Sequence, residues 1–244
     1  MAKSKGEYVC FLDADDWWEA TYLEEMYMLI REYPDAGLYA ANYVYYKPGK
    51  THVALKIERG YINYPEAYVH SDAMPVWTGT VCMPRKVFDE MGGFPIGIKL
   101  GEDFLLWAKT ALHYKVAFCE KALAYYNNDV PATMRATRNL HKPEHHMLFH
   151  LGEIEAIVES RLSIVDREEW KALLDKLRIS SLIDYWLSDE YHEAAVVELK
   201  KVDWSKQPRS AKTQYETPIL LLKAKRQFWQ IGSFFKQKLM RLLA

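Results

Sequence analysis

The chain opens with a short apolar run, an acidic turn and then a helical pattern. Residues 8–12 are apolar and rich in β-forming side chains, which is typical of a strand buried in a parallel or mixed sheet. Asp16 and Glu19 then form a capping-box pattern, and apolar side chains recur at helical spacing as far as Pro34, at Tyr22, Leu23, Met26, Leu29 and Ile30. This order predicts a strand, an acidic turn and a helix that begins after Asp16.

Strand and helix patterns continue to alternate as far as about residue 140. Strands are predicted at residues 37–46, 51–57, 76–83, 116–118 and 122–126, and helices at residues 84–91 and 102–112. The Gly92-Gly93 pair marks the end of the first of these helices. A loop is predicted from residue 58 to about residue 75. The pattern therefore predicts an α/β fold, a mixed sheet flanked by helices.

Helical spacing dominates the rest of the chain. It predicts a helical subdomain over residues 141–204, followed by a linker over residues 205–217. Residues 218–244 hold six basic side chains, no acidic one and many interleaved apolar side chains, which predicts a basic amphipathic helix. Such a helix suits an anionic inner membrane leaflet, and it suits docking on the protein's own core or on a partner equally well.

Composition and charge narrow the classes of function. With 244 residues, half of them hydrophobic, the chain is long enough to bury a substantial core. Its 32 basic and 33 acidic side chains argue against a surface built for nucleic acid. The three cysteines, Cys10, Cys82 and Cys119, are widely spaced and predict neither a disulfide framework nor a zinc site, so a reducing cytosol fits. The chain has no run of 18 apolar residues and no apolar N-terminal leader pattern, so neither membrane spanning nor export is predicted.

Two acidic side chains follow the first predicted strand. In an extended segment Asp13 and Asp15 point the same way, at the strand end where open α/β sheets bind ligands. Carboxylate oxygens are hard ligands, and they suit an Mg²⁺ or Mn²⁺ ion that also binds the oxygens of a phosphate. A polar turn that only caps a helix is the alternative. A calcium loop fits less well, because Trp17 and Trp18 occupy places where it needs an oxygen ligand and glycine.

Two further polar groups are candidates for chemistry. Glu102 and Asp103 open a predicted helix, where acidic side chains also occur simply because they favour the positive helix end. His146 and His150 have the spacing of two metal ligands on one helical face, with His141 and His145 nearby, and this makes them a weak candidate for a metal site. Such spacing is far more often ordinary helix surface and core.

Three blocks, in order, resemble family 2 glycosyltransferases. Residues 6–18 read Gly-Glu-Tyr-Val-Cys-Phe-Leu-Asp-Ala-Asp-Asp-Trp-Trp and look like the Asp-x-Asp block of that family. Residues 77–88 with 92–94 form the second block, and residues 101–107, Gly-Glu-Asp-Phe-Leu-Leu-Trp, are similar to its Glu-Asp motif. The resemblance covers residues 4–130 and implies a GT-A fold, the Rossmann-like fold of nucleotide-diphospho-sugar transferases.

The resemblance also implies roles for individual residues. Asp15 would coordinate a divalent cation, Mn²⁺ or Mg²⁺, under the diphosphate of the sugar donor, with Asp13 close by. Asp103 would be the catalytic base and Glu102 its neighbour in the acceptor site. Direct displacement would invert the anomeric carbon. An aromatic face suits a sugar ring and glycine allows close approach, so the acceptor pocket is predicted to be lined by Trp77, Thr78 and Gly79.

The implied function is transfer of a sugar from a nucleotide-sugar, a UDP-sugar foremost, to a glycan or lipid-linked acceptor in polysaccharide biosynthesis. The enzyme would be cytoplasmic or peripheral on the inner face of the membrane. Residues 1–140 would form a GT-A domain without its N-terminal nucleotide-binding units, because only seven residues precede Tyr8. Residues 127–131 read Asn-Asn-Asp-Val-Pro, where many relatives carry Arg and His, which puts diphosphate contacts by this loop in question.

Two other functions remain open from the sequence. In the first, the chain is a non-catalytic sugar-binding module, or a subunit whose missing strands are supplied by a partner or a second copy. Less strongly, Asp13 or Asp15 opposite Glu102 would be the paired carboxylates of a glycoside hydrolase.

Overall fold

The computed structural model describes residues 4–130 and 139–224. The chain divides into two compact units, Met1–Leu174 and Asp175–Ala244. In the first unit the strands are β1 (Tyr8–Cys10), β2 (Trp17–Trp18), β3 (Ala36–Lys47), β4 (Lys50–Val53), β5 (Gly60–Ile62), β6 (Cys82–Pro84) and β7 (Lys115–Asn127). The helices that accompany them are α1 (Tyr22–Glu32), α2 (Tyr64–Val69), α3 (Arg85–Glu90) and α4 (Glu102–Ala111). The predicted α/β class is confirmed.

The strands form one mixed sheet. Its order along the described residues is β1-β6-β3-β7-β2, with β4 paired to β3 and β5 paired to β7. The central strands β3 and β7 are parallel, and all the other pairs are antiparallel. Residues 36–43 of β3 are buried, as expected for a strand covered on both faces.

Strand β7 is continuous where two separate strands are predicted. Its register on β3 shifts at three places, and at one of them Ala41 pairs with Cys119 while Asn42 pairs with Ala122. The buried amide of Asn42 bridges this irregularity by donating to the carbonyl oxygens of Leu55 and Glu120, at 2.9 and 3.2 Å. Hydrogen bonds made by one side chain thus replace ladder bonds that the bulge removes.

Helix α1 covers one face of the sheet. Tyr22, Met26 and Leu29 lie on its buried stripe and join a core cluster that includes Tyr39 and Cys82. The predicted start of this helix is wrong. Residues 17–18 form β2 and pair with residues 124–125 of β7, so α1 begins only at Tyr22. Side-chain stacking of Trp17 on Tyr125, with ring centroids 5.0 Å apart, favours the strand over the capping box.

The predicted loop over residues 58–75 is also wrong, because it contains β5 and α2. Asn63 caps α2 by accepting a hydrogen bond from the backbone N–H of Glu66 at 3.3 Å. The strand predicted over residues 76–83 is mostly a 3₁₀ turn, Thr78–Thr80, and only its end enters β6. The helices predicted at residues 84–91 and 102–112 are confirmed as α3 and α4.

Residues 143–149 form two 3₁₀ turns, Pro143–His145 and Met147–Phe149, where a helix is predicted. His146 and His150 therefore do not share one face of an α-helix. Beyond this point the structure is helical, with α5 (Gly152–Arg161), α6 (Ile164–Ser181), α7 (Ile183–Trp186), α8 (His192–Leu199) and α9 (Arg209–Glu216). Helix α9 lies within the segment predicted as a linker, residues 205–217.

The second unit has its own polar anchor. The guanidinium Nε of Arg178 lies 3.1 Å from Oε2 of Glu198, and both side chains are buried. Most of the predicted basic amphipathic helix, residues 225–244, lies outside the described residues, so that helix stays a prediction. Among the residues that the structure describes, no helix has both the length and the apolar character needed to cross a membrane.

Candidate active site

Four of the residues singled out from the sequence lie around one cavity of about 470 Å³. Asp13 enters it from the end of β1, Thr78 from the 3₁₀ turn, and Glu102 and Asp103 from the first turn of α4. The cavity is completed by apolar and thiol side chains, which are Cys10, Phe11, Leu12 and Phe94. Segments about 90 residues apart in sequence thus converge on one acidic cleft.

Asp13 lies near other negatively charged side chains. Partial burial raises the pKa of its carboxyl, and the negative charges of Asp15 and Asp103 raise it further. Asp15 lies two residues farther along and is exposed. Both residues belong to a turn in which the backbone N–H of Asp16 donates to the carbonyl oxygen of Asp13 at 3.2 Å. This concentration of negative charge stabilises any cation placed beside the two carboxylates.

Asp103 is fixed in orientation by two hydrogen bonds. The Thr78 hydroxyl donates to Oδ2 at 2.7 Å, and the backbone N–H of Phe104 donates to Oδ1 at 2.7 Å. The preceding Gly101 has φ of 82°, a left-handed conformation that lets the chain enter α4 abruptly. A methyl group at Gly101 would overlap Met147, so glycine is required here for space as well as for backbone conformation.

Glu102 shares the electrostatic environment of Asp103. Burial raises the pKa of the Glu102 carboxyl, and the charges of Asp103 and Asp13 add to this effect. A backbone hydrogen bond and the positive charge of His141 act in the opposite direction. Carboxyls of this kind retain a proton more readily than an exposed glutamate does.

The 3₁₀ turn gives different environments to the three predicted acceptor residues. Thr78 lines the cavity, whereas Trp77 is only 3% exposed and packs against Tyr43 and Tyr126 with ring centroids 4.8 and 5.2 Å apart. Gly79 is buried against the Trp77 ring, which leaves no room for a side chain. Trp77 and Gly79 thus support the turn by packing in the interior, and contact of either residue with a substrate stays a prediction.

The turn is tied to the acidic segment. The indole N–H of Trp18 donates to the carbonyl oxygen of Gly79 at 2.7 Å, and the Trp18 ring stacks on Tyr22 at 4.2 Å. Trp18 therefore couples the residues after Asp15 to the turn that carries Thr78.

Asp16 has a role that the sequence did not indicate. Its carboxylate does not cap α1 but accepts a hydrogen bond from the backbone N–H of Asn127, at 2.7 Å, where β7 ends. Burial raises the pKa of Asp16 to about 6, against the opposing effect of this hydrogen bond. The sole signal in the sequence is that Asp16 is the third acidic residue within residues 13–16, since its partner lies 111 residues away.

An aromatic cluster backs the cavity. Phe11 and Phe94 each lie with ring centroids 5.6 Å from Trp107, which is fully buried, and Phe88 packs against both phenylalanines. These rigid contacts hold the segment before Asp13 against α4.

The side chains suit a cation that is shared with a ligand. Within residues 4–130 and 139–224, no group of three histidine, cysteine or acidic side chains has the arrangement of a complete metal site. The His145 and His150 rings are hydrogen-bonded to the carbonyl oxygens of Gly97 and Glu144. Two carboxylates, Asp13 and Asp15, fit a cation such as Mg²⁺ or Mn²⁺, which keeps water and phosphate oxygens among its ligands.

Comparison with known sequences finds one family model that matches part of the chain. Residues 1–92 match the model of glycosyl transferase family 2. The match takes in Asp13, Asp15 and the 3₁₀ turn and ends before Glu102 and Asp103, so it spans less than half of the chain. No curated protein sequence matches the chain at a significant level.

The fold of the chain is similar to that of a solved structure, the crystal structure of S. aureus TarS 1-349. The TM-score is 0.60 at 14% sequence identity, and the match covers 83% of this chain and 58% of that chain. The predicted GT-A fold is confirmed by this likeness. The chain spans 58% of the length of the solved structure, so the two share architecture over that part.

Proposed function

We propose that this chain transfers a sugar from a nucleotide-sugar, a UDP-sugar foremost, to a hydroxyl of a glycan or lipid-linked acceptor in polysaccharide biosynthesis. The convergence of Asp13, Thr78, Glu102 and Asp103 on one cavity carries the proposal. The match of residues 1–92 to the family 2 model supports the reaction class, and an inverting displacement at the anomeric carbon is the mechanism we infer for it.

The charge of the cavity supports dependence on a divalent cation. Three carboxylates and no basic side chain are found among its described lining residues, so an anionic diphosphate would be repelled from it. Asp13 and Asp15 would hold Mn²⁺ or Mg²⁺ at its edge. Such a cation supplies positive charge that offsets the charge growing on the departing diphosphate.

Asp103 is the group that we assign as the base. Both of its oxygens already accept one hydrogen bond, which fixes the plane of the carboxylate while leaving further lone pairs to receive the proton of an acceptor hydroxyl. Glu102, whose raised pKa favours a retained proton, lies beside it and would contact the acceptor. Thr78 would act by keeping Asp103 in position.

The test is binding and turnover of UDP-sugars with and without Mn²⁺, measured by calorimetry and by release of nucleoside diphosphate. Asp15→Asn should abolish the metal dependence of binding. Asp103→Asn should leave binding intact and lower turnover by about 10²- to 10⁴-fold, the range that general bases contribute. Asp72→Asn serves as the matched control, because Asp72 is exposed and lies outside the cavity lining.

Other outcomes would favour the alternatives. Metal-dependent binding without turnover on any acceptor would support a sugar-binding module or a subunit that needs a partner. Release of free sugar from a glycan would support a hydrolase. Location in the cytoplasm or at the inner face of the membrane belongs to the same proposal, and co-sedimentation of full-length and C-terminally shortened chains with anionic vesicles tests it.

A further inference from the structure

Two cysteine residues lie opposite each other on neighbouring strands beside the acidic site. Cys10 ends β1 and Cys82 begins β6, and the two residues are direct partners in the antiparallel ladder. Directly opposed residues on such a ladder have Cα atoms about 4.5 or 5.5 Å apart, according to the type of pair, and side chains on the same face. Both separations lie within the range that a disulfide bond accepts, about 4.4–6.8 Å.

The two thiols differ in access. Cys10 is half-buried and lines the acidic cavity, whereas Cys82 is only 2% exposed and belongs to the core cluster. A small reagent that enters the cavity therefore reaches Cys10 first. Cys82 lies behind it, where a sulfur can attack Cys10 but cannot be reached from solvent.

The reactivity of the two thiols follows the same order. The neighbouring Cys82 thiol lowers the pKa of the Cys10 thiol, although burial acts in the opposite direction. The same interaction, with burial, raises the pKa of Cys82. The accessible sulfur is thus the better nucleophile of the pair.

We propose that Cys10 and Cys82 form a redox-active dithiol that closes to a cross-strand disulfide when a low-molecular-weight disulfide enters the cavity. In the first step the Cys10 thiolate attacks one sulfur of the reagent, its S–S bond breaks, and one reagent thiolate leaves. In the second step the Cys82 sulfur attacks the Cys10 sulfur, which forms the Cys10–Cys82 bond and breaks the mixed disulfide, and the departing second reagent thiolate takes up the Cys82 proton. Two protein thiols are oxidised and one reagent disulfide is reduced, so electrons balance.

This site goes beyond sugar transfer, because it is a covalent modification site three residues before Asp13. Cys119 provides the internal comparison. It is buried in β7 and its sulfur accepts a hydrogen bond from Nη1 of Arg59 at 3.3 Å. Cys119 does not line the acidic cavity, so it should not react under the same conditions.

The test is oxidation of the native full chain by oxidised glutathione, followed by thiol counting and mass mapping of peptides. We expect loss of two of the three thiols, a mass lower by about 2 Da and one cross-linked peptide pair containing Cys10 and Cys82. Dithiothreitol should restore both thiols. Cys119→Ala should behave like the wild type, and Cys82→Ala should stop at a glutathione adduct on Cys10.

Three results would overturn the proposal, and the wild-type protein alone yields each of them. These are a lasting glutathione adduct on Cys10 without a cross-link, a cross-link that involves Cys119, and retention of all three thiols in the folded protein. None of these readouts depends on sugar transfer, so failure here and failure of the proposed function are separate findings.

Discussion

His146 should make the folded protein sensitive to mild acid. Its ring is 6% exposed, and Nδ1 accepts a hydrogen bond from the backbone N–H of Leu148 at 3.2 Å. Burial lowers the pKa of His146 to about 4, and the positive charges of His141 and His150 add to this effect. Protonation at Nδ1 would break the hydrogen bond and place a charge in the interior.

The size of the effect follows from the two states of the ring. In the unfolded chain the imidazole has its ordinary pKa of about 6.5, so between pH 6.5 and pH 4 the unfolded state binds a proton that the folded state does not. Stability from His146 is therefore fully present above about pH 7.5 and declines as the pH falls. Linkage gives a loss of about 2 kcal/mol between pH 7.5 and pH 5, and about 3 kcal/mol below pH 4.

His146→Asn removes the titration but retains an oxygen that can accept the Leu148 hydrogen bond. We expect the urea-unfolding free energy of the wild type to fall by about 2 kcal/mol more than that of the variant between pH 7.5 and pH 5. The local consequence reaches the site, because the N–H of Met147 donates to the carbonyl oxygen of Leu100, next to the start of α4. Parallel pH curves for the two proteins would refute the buried neutral imidazole.

Two further predictions concern the residues that hold Asp103 in position. Thr78→Val should lower kcat/KM for sugar transfer about tenfold or more, because it removes a hydrogen bond to a charged group. Thr78→Ser keeps the hydroxyl and should retain activity. Equal rates for the two variants would contradict this role of Thr78. Gly101→Ala should lower the free energy of unfolding by more than the ~1 kcal/mol of left-handed strain, because its methyl group would overlap Met147. Gly97→Ala, with φ of 92° and open space around the added carbon, is the matched control, and an equal cost at both glycines would argue against the overlap.

Local patterns in the sequence predicted the parts of the fold that depend on neighbouring residues. Strand β3 and helices α3 and α4 follow from apolar runs and helix-end signals within a few residues of each element. Strand β2 does not, because its two tryptophans are held by strand β7, about 100 residues later. The small elements β5 and α2 were missed even though Asn63, Pro65 and Glu66 carry a local helix-start signal.

The candidate site, like the fold, could be predicted from the sequence only in part. The strand end at Asp13 and the helix start at Glu102 could be placed from sequence, and their approach to Thr78 follows from the order of strands in the sheet. Burial of Trp77 could not be predicted, because an aromatic ring suits a sugar and a core equally well and only tertiary packing decides between them.

The site gathers like charges, and the fold has to supply the rigidity that this requires. Asp13 is held by the turn after β1, Thr78 by a 3₁₀ turn tied to Trp18, and Asp103 by the start of α4. Each support is a backbone feature or a hydrogen bond from an uncharged donor, and among the described residues that line the cavity there is no basic side chain beside the carboxylates. An arrangement that keeps acidic groups close and unpaired stabilises the folded state little by itself. It would stabilise a bound cation, which is the reason that we propose this cavity, and not another, for the metal and the diphosphate.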